Sequence, residues 1–171
     1  MPVDPDTFRE IFGSLPTAVA VVTSVGDDGE PCGLTMNTVT AVAKTPPLLL
    51  VCLDENSQTL QAIRYSRAFV VNFLAGNGSA LADRFARKGR GKFAGFDWLP
   101  APLSGGAPIF SGHVLAHAEC SVREEIRVGD HSVVIGLLDD GEAYDRPPLV
   151  YHRKNYSAWP AGDARAIPAG R

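Results

Sequence analysis

The chain has 171 residues, of which 45% are hydrophobic and 20% charged, and its formal net charge at pH 7 is −3. These values predict one soluble globular domain, and the small negative charge argues against binding to nucleic acid or an anionic membrane. Because the chain has no run of about twenty apolar residues for a membrane span and no secretory signal at its polar N-terminus, we expect a cytoplasmic protein.

The first 30 residues predict a helix followed by one arm of a β-hairpin. Asp4-Pro5 has the form of a helix cap followed by proline at the first helical position, and Pro16 ends the helix. The helix carries one apolar stripe at helical spacing, formed by Phe8, Ile11, Phe12 and Leu15. The β-branched segment 17–25 and the turn GDDGEP then predict a hairpin with the segment that follows.

Segment 31–59, PCGLTMNTVTAVAKTPPLLLVCLDENSQT, predicts a strand from Cys32 to Val42, a turn at 44–47 and a strand from Leu48 to Leu53. The first strand is unusual because polar side chains lie among its apolar residues, at Thr35, Asn37, Thr38 and Thr40. Since buried polar groups need hydrogen-bond partners, this line of donors and the following Ser57-Gln58-Thr59 suit a long polar ligand with a phosphate. The alternative is that threonine favours strands and faces water.

Two short helices and one buried strand are predicted next. Asn56 or Ser57 caps a helix that runs to Ala68, and FVVNFL (69–74) reads as a strand. GSALADRFARK (78–88) predicts a helix that has Leu81 and Phe85 on one face. The Gly- and Pro-rich segment from Arg90 to Pro108 predicts an extended loop.

The C-terminal part predicts more strands and no further helix. Long strands are expected at 109–122 and 127–138, with a charged connection at 123–125, and a short strand at 149–151. We expect a domain over residues 1–159 and a disordered tail over 160–171. Six or seven strands with two or three short helices predict a mainly β, single-domain fold, a closed or partly closed antiparallel barrel.

Two further segments carry candidate binding residues. Basic side chains that suit a phosphate cluster at the end of the third helix, at Arg84, Arg87, Lys88, Arg90 and Lys92. They could equally be a solvated helix end that complements the macrodipole. Gly129-Asp130-His131 is expected inside an apolar strand, where His131 could contact a planar heterocycle or be an ordinary core histidine.

Other common chemistries have little support. His113, His117 and Cys120 lack the further ligands and the spacing that a zinc site prefers, so no metal is expected. The three cysteines, Cys32, Cys52 and Cys120, are odd in number and far apart, which argues against a disulfide framework. The acidic pairs at 27–28, 124–125 and 139–140 look like turn residues, and the sequence contains no GxSxG, Walker A or GxGxxG motif.

Six blocks together resemble the short-chain flavin reductases, the NAD(P)H-dependent reductase components of two-component flavin monooxygenases. They are TAVAVVTS, CGLTMNTVTAVAKTPPLLLVCLDENSQT, FVVNFL, FARKGRGKF, GDHSVVIG and PLVYHRKNYSAW. The resemblance spans Phe8 to Trp159 and implies an FMN-binding split β-barrel, a homodimer and a partner monooxygenase. It also implies hydride transfer from NADH or NADPH to FMN or FAD.

The resemblance further implies a role for particular residues. The flavin ring and ribityl chain would be lined by Thr35, Met36, Asn37 and Thr38, although many relatives have serine or alanine where this chain has Asn37. Backbone contacts would come from Cys52 and Leu53. The ribityl and phosphate groups would be met by Ser57, Thr59, Ala86, Arg87 and Lys88, with Lys92 and Phe93 close by. His131 would lie beside the nicotinamide, in a pocket that Tyr156 helps to close.

Two other functions remain open at this point. One is a flavin- or haem-binding protein on the same barrel that does not oxidise NADH. The other is an enzyme like pyridoxamine-phosphate oxidase, in which flavin is a fixed prosthetic group. The sequence does not distinguish FMN from FAD or NADH from NADPH, although Arg123, Arg127 and Arg153 are candidates for contacting a 2′-phosphate.

Overall fold

The computed structural model describes residues 1–89 and 91–159, and in them antiparallel strands predominate over three short helices. The helices are α1 (Pro5–Gly13), α2 (Gln58–Ser66) and α3 (Ser79–Ala86). The strands are β1 (Thr17–Ala18), β2 (Ala20–Val25), β3 (Pro31–Met36), β4 (Val39–Lys44), β5 (Pro47–Asp54), β6 (Ala68–Leu74), β7 (Leu99–Pro100), β8 (Pro108–Ile109), β9 (Val114–Val128), β10 (His131–Ala143), β11 (Leu149–His152) and β12 (Asn155–Ala158). The predicted mainly β, antiparallel, single-domain fold is confirmed.

Seven strands form one curled sheet in the order β3-β2-β6-β9-β10-β5-β4. β3 and β4 lie at opposite edges of this sheet, yet only Asn37 and Thr38 separate them in the chain. Three Cα-to-Cα steps span at most about 11 Å, so the two edges must approach each other at this end. The result is a partly closed barrel. β1, β11 and β12 form a second sheet, and β7 and β8 form a third.

The predicted strand from Cys32 to Val42 is wrong, because the structure divides it into β3 and β4 at Asn37-Thr38. β3 pairs with β2, whereas β4 pairs with β5. The alternation of residue types cannot reveal this change of partner, since each half is extended and β-branched. The two polar residues lie at the junction itself, where both are exposed.

The predicted turn at 123–125 is also wrong, because β9 continues through these residues to Val128. The chain reverses at Gly129-Asp130, where Gly129 has a φ of +64°, a conformation that favours glycine. Gly129-Asp130-His131 therefore forms a hairpin turn and the first residue of β10, rather than the middle of a strand. Asp139 and Asp140, predicted as turn residues, likewise lie within β10.

The other predicted boundaries shift by a few residues. α1 ends at Gly13 and α3 at Ala86, whereas α2 stops at Ser66 and Ala68 already begins β6. The predicted loop up to Pro108 contains β7 and the start of β8, and β12 was not predicted. Arg90 and the predicted tail at 160–171 lie outside the described residues, so the domain boundary at 159 stays a prediction.

β3 has a different helix on each of its faces, because successive side chains of a strand point to opposite sides. Met36 joins one buried cluster with Leu60 and Ile63 of α2. Gly33 lies under Phe85 of α3, which belongs to a second cluster with Leu81 and Phe110. Burial of one such side chain contributes about 1.5–3 kcal/mol, so these contacts anchor α2 and α3 on β3.

α1 differs from the other helices because none of its residues is buried. Its predicted cap is present, since the Asp4 carboxylate accepts hydrogen bonds from the backbone N–H groups of Asp6 and Thr7. The predicted apolar stripe faces solvent in the single chain, where Phe8, Ile11, Phe12 and Leu15 are 52–56% exposed. Within the described ranges, no helix is long and apolar enough to cross a membrane. The expected cytoplasmic location stays a prediction.

Candidate functional site

The junction between β3 and β4 presents two polar side chains at the sheet surface. The Thr38 hydroxyl donates to the Cys52 carbonyl at 3.2 Å, and the Asn37 amide donates to the Thr17 hydroxyl at 3.2 Å. Both Asn37 and Thr38 are exposed, whereas Met36 is 8% exposed and its side chain lies in the core. A ligand at this junction would therefore meet the side chains of 37 and 38 and the backbone of Met36.

Thr35 points away from the junction, towards α3. Its hydroxyl donates to the carbonyl of Ala82 at 2.6 Å and so ties β3 to α3. This bond uses the single hydroxyl proton, which leaves the oxygen as an acceptor for any ligand. The predicted line of donors is thus divided between a helix contact at 35 and a surface at 37–38.

The end of β5 and the start of α2 lie next to this junction. Cys52 is half-buried and burial raises the pKa of its thiol, whereas the Leu53 side chain is in the core at 1% exposure. The Ser57 hydroxyl caps α2 by accepting from the backbone N–H of Leu60 at 3.4 Å. Thr59 is buried in the first turn of the helix. Because the side chains of Leu53 and Thr59 are buried, a ligand could reach only the backbone atoms of these two residues.

His131 lies at the same end of the sheet, where it pairs with Asp54 of β5. Its Nδ1 is 2.7 Å from the Asp130 carboxylate, and its side chain is 47% exposed. Because an ionised carboxylate only accepts hydrogen bonds, Nδ1 carries a proton and Nε2 is left for another partner. The hydrogen bond from His131 holds the pKa of Asp130 below its usual range, which keeps this carboxylate ionised.

The basic cluster divides into anchored and exposed cations. The Lys92 ammonium donates to the carbonyls of Gly33 at 3.0 Å and Phe85 at 3.3 Å, and burial lowers its pKa. Phe85 lies in the last turn of α3, so Lys92 acts as a C-terminal cap. Arg84 donates to the Ala94 carbonyl at 3.3 Å. Arg87 and Lys88 are exposed, as is Ala86. Arg90 lies outside the described residues.

Two aromatic residues of the predicted set lie on the α3 side of the sheet. Phe93 stacks on Phe110, with ring centroids 5.9 Å apart, and meets Phe85 edge-on at 4.8 Å. Tyr156 of β12 is half-buried beside Tyr151, with ring centroids 5.4 Å apart. Burial and the nearby Asp83 carboxylate raise the pKa of Tyr156, so its hydroxyl is neutral and available as a donor. Phe93 supports the loop after α3, and Tyr156 lies beside α3.

Most of the predicted site residues therefore lie along β3 or at its C-terminal end. Asn37, Thr38, Cys52, Ser57 and His131 belong to adjacent elements at that end. Gly33, which packs against Phe85 near the end of α3, is four residues before Asn37 in the chain. These four residues span about 13 Å in an extended strand. The arrangement offers polar surface groups at one end and the exposed cations Arg87 and Lys88, which follow α3, at the other, which suits a long ligand with a terminal phosphate.

One group of polar residues near His131 has no signal in the sequence. Arg64 pairs with the carboxylates of Glu55 at 3.1 Å and Glu125 at 2.5 Å, and the Ser132 hydroxyl, which has one proton to donate, lies within hydrogen-bond distance of both carboxylates. These residues come from α2, the β5–α2 turn, β9 and β10. They are far apart in sequence, and each alone looks like an ordinary surface residue.

The three residues considered as metal ligands, His113, His117 and Cys120, each make other contacts in the structure. His113 precedes β9 and meets the ring of Phe96 edge-on, and His117 lies 3.4 Å from the Tyr144 hydroxyl. Cys120 is in the core, and burial raises the pKa of its thiol to about 12. Over the part of the chain that the structure describes, no three His, Cys, Asp or Glu residues are grouped so as to hold a metal ion.

Known proteins with the same fold give the site a context. The family model for the flavin reductase like domain matches residues 12–160. A flavin reductase (NADH) of Kitasatospora aureofaciens is 45% identical over 92% of this chain and 83% of its own length. The reductase subunit HsaB of a flavin-dependent monooxygenase of Mycobacterium tuberculosis is 38% identical over 91% of this chain and 82% of its own. The structure of the Streptomyces globisporus NADH:FAD oxidoreductase SgcE6, in complex with NAD and FAD fragments, has a TM-score of 0.86 at 30% identity, over 96% of this chain and 99% of that one.

Proposed function

Because this chain belongs to the flavin reductase like family, we propose that it is an NAD(P)H:flavin oxidoreductase that reduces FMN or FAD. The observation that carries the proposal is the position of His131 beside the polar junction at Asn37-Thr38, with β5 between them. A half-exposed imidazole next to a surface of backbone and side-chain donors suits two planar ligands in contact. The match of the family model over residues 12–160 confirms, at the level of the family, the resemblance seen in the six sequence blocks.

The described residues fit a flavin in charge and in length. Asn37 and Thr38 would hold the ring and ribityl end, together with backbone N–H groups of this segment. The exposed Arg87 and Lys88 would bind the phosphate through charge-assisted hydrogen bonds. The polar junction and the Gly33 end of β3 are about 13 Å apart along the strand, a separation that calls for an elongated ligand such as a flavin nucleotide. The Lys92 ammonium already donates to the carbonyls of Gly33 and Phe85, so Lys92 would hold β3 and the end of α3 together rather than bind the phosphate itself.

The protein contributes position rather than acid–base chemistry. Bound flavin supplies the acceptor for a hydride from C4 of the nicotinamide, and that step needs no proton from the protein. His131, held through Nδ1 by Asp130, would orient the nicotinamide with Nε2. Donors at the β3–β4 junction would stabilise negative charge on the flavin side. Holding both rings at contact distance is the main catalytic effect.

A steady-state assay that crosses NADH and NADPH with FMN and FAD tests this function. We expect NADH oxidation that depends on added flavin, with NADH preferred over NADPH, since the relative described with NADH is 45% identical to this chain and the relative described with NADPH is 34% identical. A non-catalytic flavin- or haem-binding protein would oxidise neither nucleotide. An enzyme like pyridoxamine-phosphate oxidase would purify with flavin bound and turn over an amine. Either result would contradict the proposal.

The phosphate site predicts the effect of replacing Arg87. Arg87→Ala should weaken flavin binding about tenfold, because one charge-assisted hydrogen bond is lost. The loss should shrink as salt is raised, since the exposed charge is screened. Flavin titrations of both proteins at low and high salt measure this, and Arg123→Ala on β9 is the matched control. A wild-type affinity for Arg87→Ala at every salt concentration would remove Arg87 from the site.

We also propose that the chain is a homodimer whose reduced flavin serves a separate monooxygenase component. The relative HsaB is named as the reductase subunit of such an enzyme. Two exposed apolar surfaces support the dimer. One is the stripe of α1, and the other is a shallow cavity of about 340 Å³ lined by residues of β4, β5, β6 and β10. Apolar surface of this kind is typical of protein interfaces, and the cavity begins at Val39, next to the junction.

The dimer predicts a mutation that changes the mass in solution. Leu138 lines the cavity and is 37% exposed, so Leu138→Glu would place a charge in the proposed interface. Light scattering after size exclusion should give twice the chain mass for the wild type and a large monomer fraction for this variant. Leu103→Glu is the control, because Leu103 is 56% exposed on the segment that covers the other side of the sheet. A wild-type monomer would contradict the dimer.

A further inference from the structure

Glu55 contacts both residues that flank His131. Its backbone N–H donates to the carbonyl of Asp130 at 3.0 Å. Its carboxylate accepts a hydrogen bond from the Ser132 hydroxyl at 2.5 Å. His131 lies between these two attachment points, at the last β5–β10 pair before β5 leaves the sheet. Glu55, in the β5–α2 turn, is thus hydrogen-bonded to the residue before His131 and to the residue after it.

The Glu55 carboxylate is itself held in place by a half-buried ion cluster. Arg64 donates through Nη2 to both oxygens of Glu55 at 3.1 Å, and through Nε to Glu125 at 2.9 Å. The hydrogen bond from Ser132, followed by those from Arg64, lowers the pKa of Glu55. Glu55 is therefore ionised and acceptor-only at neutral pH. The cluster joins α2, the β5–α2 turn and both arms of the β9–β10 hairpin.

The same turn leads into the flavin side of the site. Two residues after Glu55, Ser57 caps α2, and three residues before it, Cys52 accepts the hydrogen bond from Thr38. A movement of Glu55 would therefore change the distance between His131 and the elements that form the β3–β4 junction. Near-contact geometry of two reacting rings is sensitive to displacements of about 1 Å, which can cost a hundredfold in rate.

We propose that Glu55, with Ser132 as its partner, is a positioning residue that sets His131 against the flavin-binding turn and so governs productive nicotinamide binding. The role rests on the proposed function, since it acts through His131. Glu55 touches neither ring and transfers no proton. Its contribution is to hold the Gly129–His131 turn at a fixed distance from the N-terminus of α2.

Local hydrogen exchange and steady-state kinetics test this together. In ligand-free protein, Glu55→Ala and Ser132→Ala should speed amide exchange at 129–132 at least tenfold, while exchange in β2 and β6 is unchanged. In the assay, both variants should raise the KM for NADH about tenfold, with flavin affinity within twofold of wild type. Glu55→Gln, which keeps an acceptor for Ser132, should recover part of the KM change. Glu124→Ala is the matched control, because Glu124 is an exposed glutamate on β9, next to Glu125.

The two readouts separate this inference from the proposed function. Wild-type protein that does not oxidise NADH would contradict the proposed function. Faster amide exchange at 129–132 in the variants would even then support the role of Glu55 in fixing the Gly129–His131 turn. Unchanged exchange at 129–132 with a normal KM for NADH in both variants would overturn the positioning role. A lower melting temperature with a normal KM would also overturn it, because Glu55 would then be structural only. If Glu55→Ala fails to fold, Ser132→Ala, which leaves the Arg64 ion pairs intact, gives the same test.

Discussion

Gly33→Val should lower the unfolding free energy by about 2 kcal/mol and the melting temperature by about 4–8 °C. A Cβ at position 33 would lie 2.9 Å from Cε1 of Phe85 and 3.2 Å from Cγ2 of Thr23, closer than packed atoms allow. Valine adds two further methyl groups, so α3 must move away from β3. Thermal and urea unfolding measure this loss of stability.

The same substitution should weaken flavin binding about tenfold, because Arg87 and Lys88, the exposed cations of the proposed phosphate site, directly follow α3 and would move with it. The Gly33 carbonyl also accepts from Lys92, so the loop after α3 would shift as well. Gly13→Val is the control, since nothing lies within 4 Å of a Cβ built there. Phe85→Leu should partly restore Gly33→Val by removing the clashing ring carbon, a coupling of about 1 kcal/mol. Additive effects of the two substitutions would contradict the steric explanation.

The fold class could be predicted because the strands are β-branched runs bounded by glycine and proline. The partner of each strand could not, as segment 31–44 illustrates. Both halves of that segment have strand composition, and no local property indicates that they pair with opposite edges of the sheet. The only local sign is that Asn37 and Thr38 are polar, and the sequence interprets them as buried groups of one continuous strand, whereas both are exposed at the junction.

In the β9–β10 hairpin the sequence predicts a break where the strand is in fact continuous. Three charged residues at 123–125 resemble a turn, but Glu125 is paired with Arg64, whose position depends on the tertiary fold. The true turn has the glycine with positive φ that a tight reversal requires. A preference for glycine over charge as the turn signal would have found it. That choice matters for function, because it moves His131 from the middle of a sheet to a half-exposed end.

Exposure of a candidate site residue could be predicted for Arg87, a basic residue at a helix end, but not for His131, which the sequence places inside an apolar strand. Lys92 shows the limit of this reasoning, because a lysine that caps a helix and a lysine that binds phosphate have the same sequence signature. The role of Glu55 cannot be predicted from the sequence for a different reason. Its partners are 9 to 77 residues away in the chain, and only the fold brings them together.

The proposed nicotinamide contact predicts a selective defect for His131→Ala. The KM for NADH should rise at least tenfold, because a charge-assisted or neutral hydrogen bond to the bound nucleotide is lost. The dissociation constant for flavin should stay within twofold of wild type, since Asn37, Thr38 and Arg87 are untouched. Steady-state kinetics at saturating flavin and direct flavin titration measure the two effects separately.

Asp130→Asn distinguishes loss of the imidazole from loss of its orientation. An asparagine side chain offers both a donor and an acceptor, so Nδ1 no longer has to carry the proton and either tautomer fits. We expect a KM for NADH between the wild type and His131→Ala, with flavin affinity again unchanged. His152→Ala, a change at the exposed last residue of β11, should match the wild type in both measurements. If His131→Ala weakened flavin and NADH binding equally, the imidazole would not be a selective contact of the nicotinamide, and the role proposed for His131 would be contradicted.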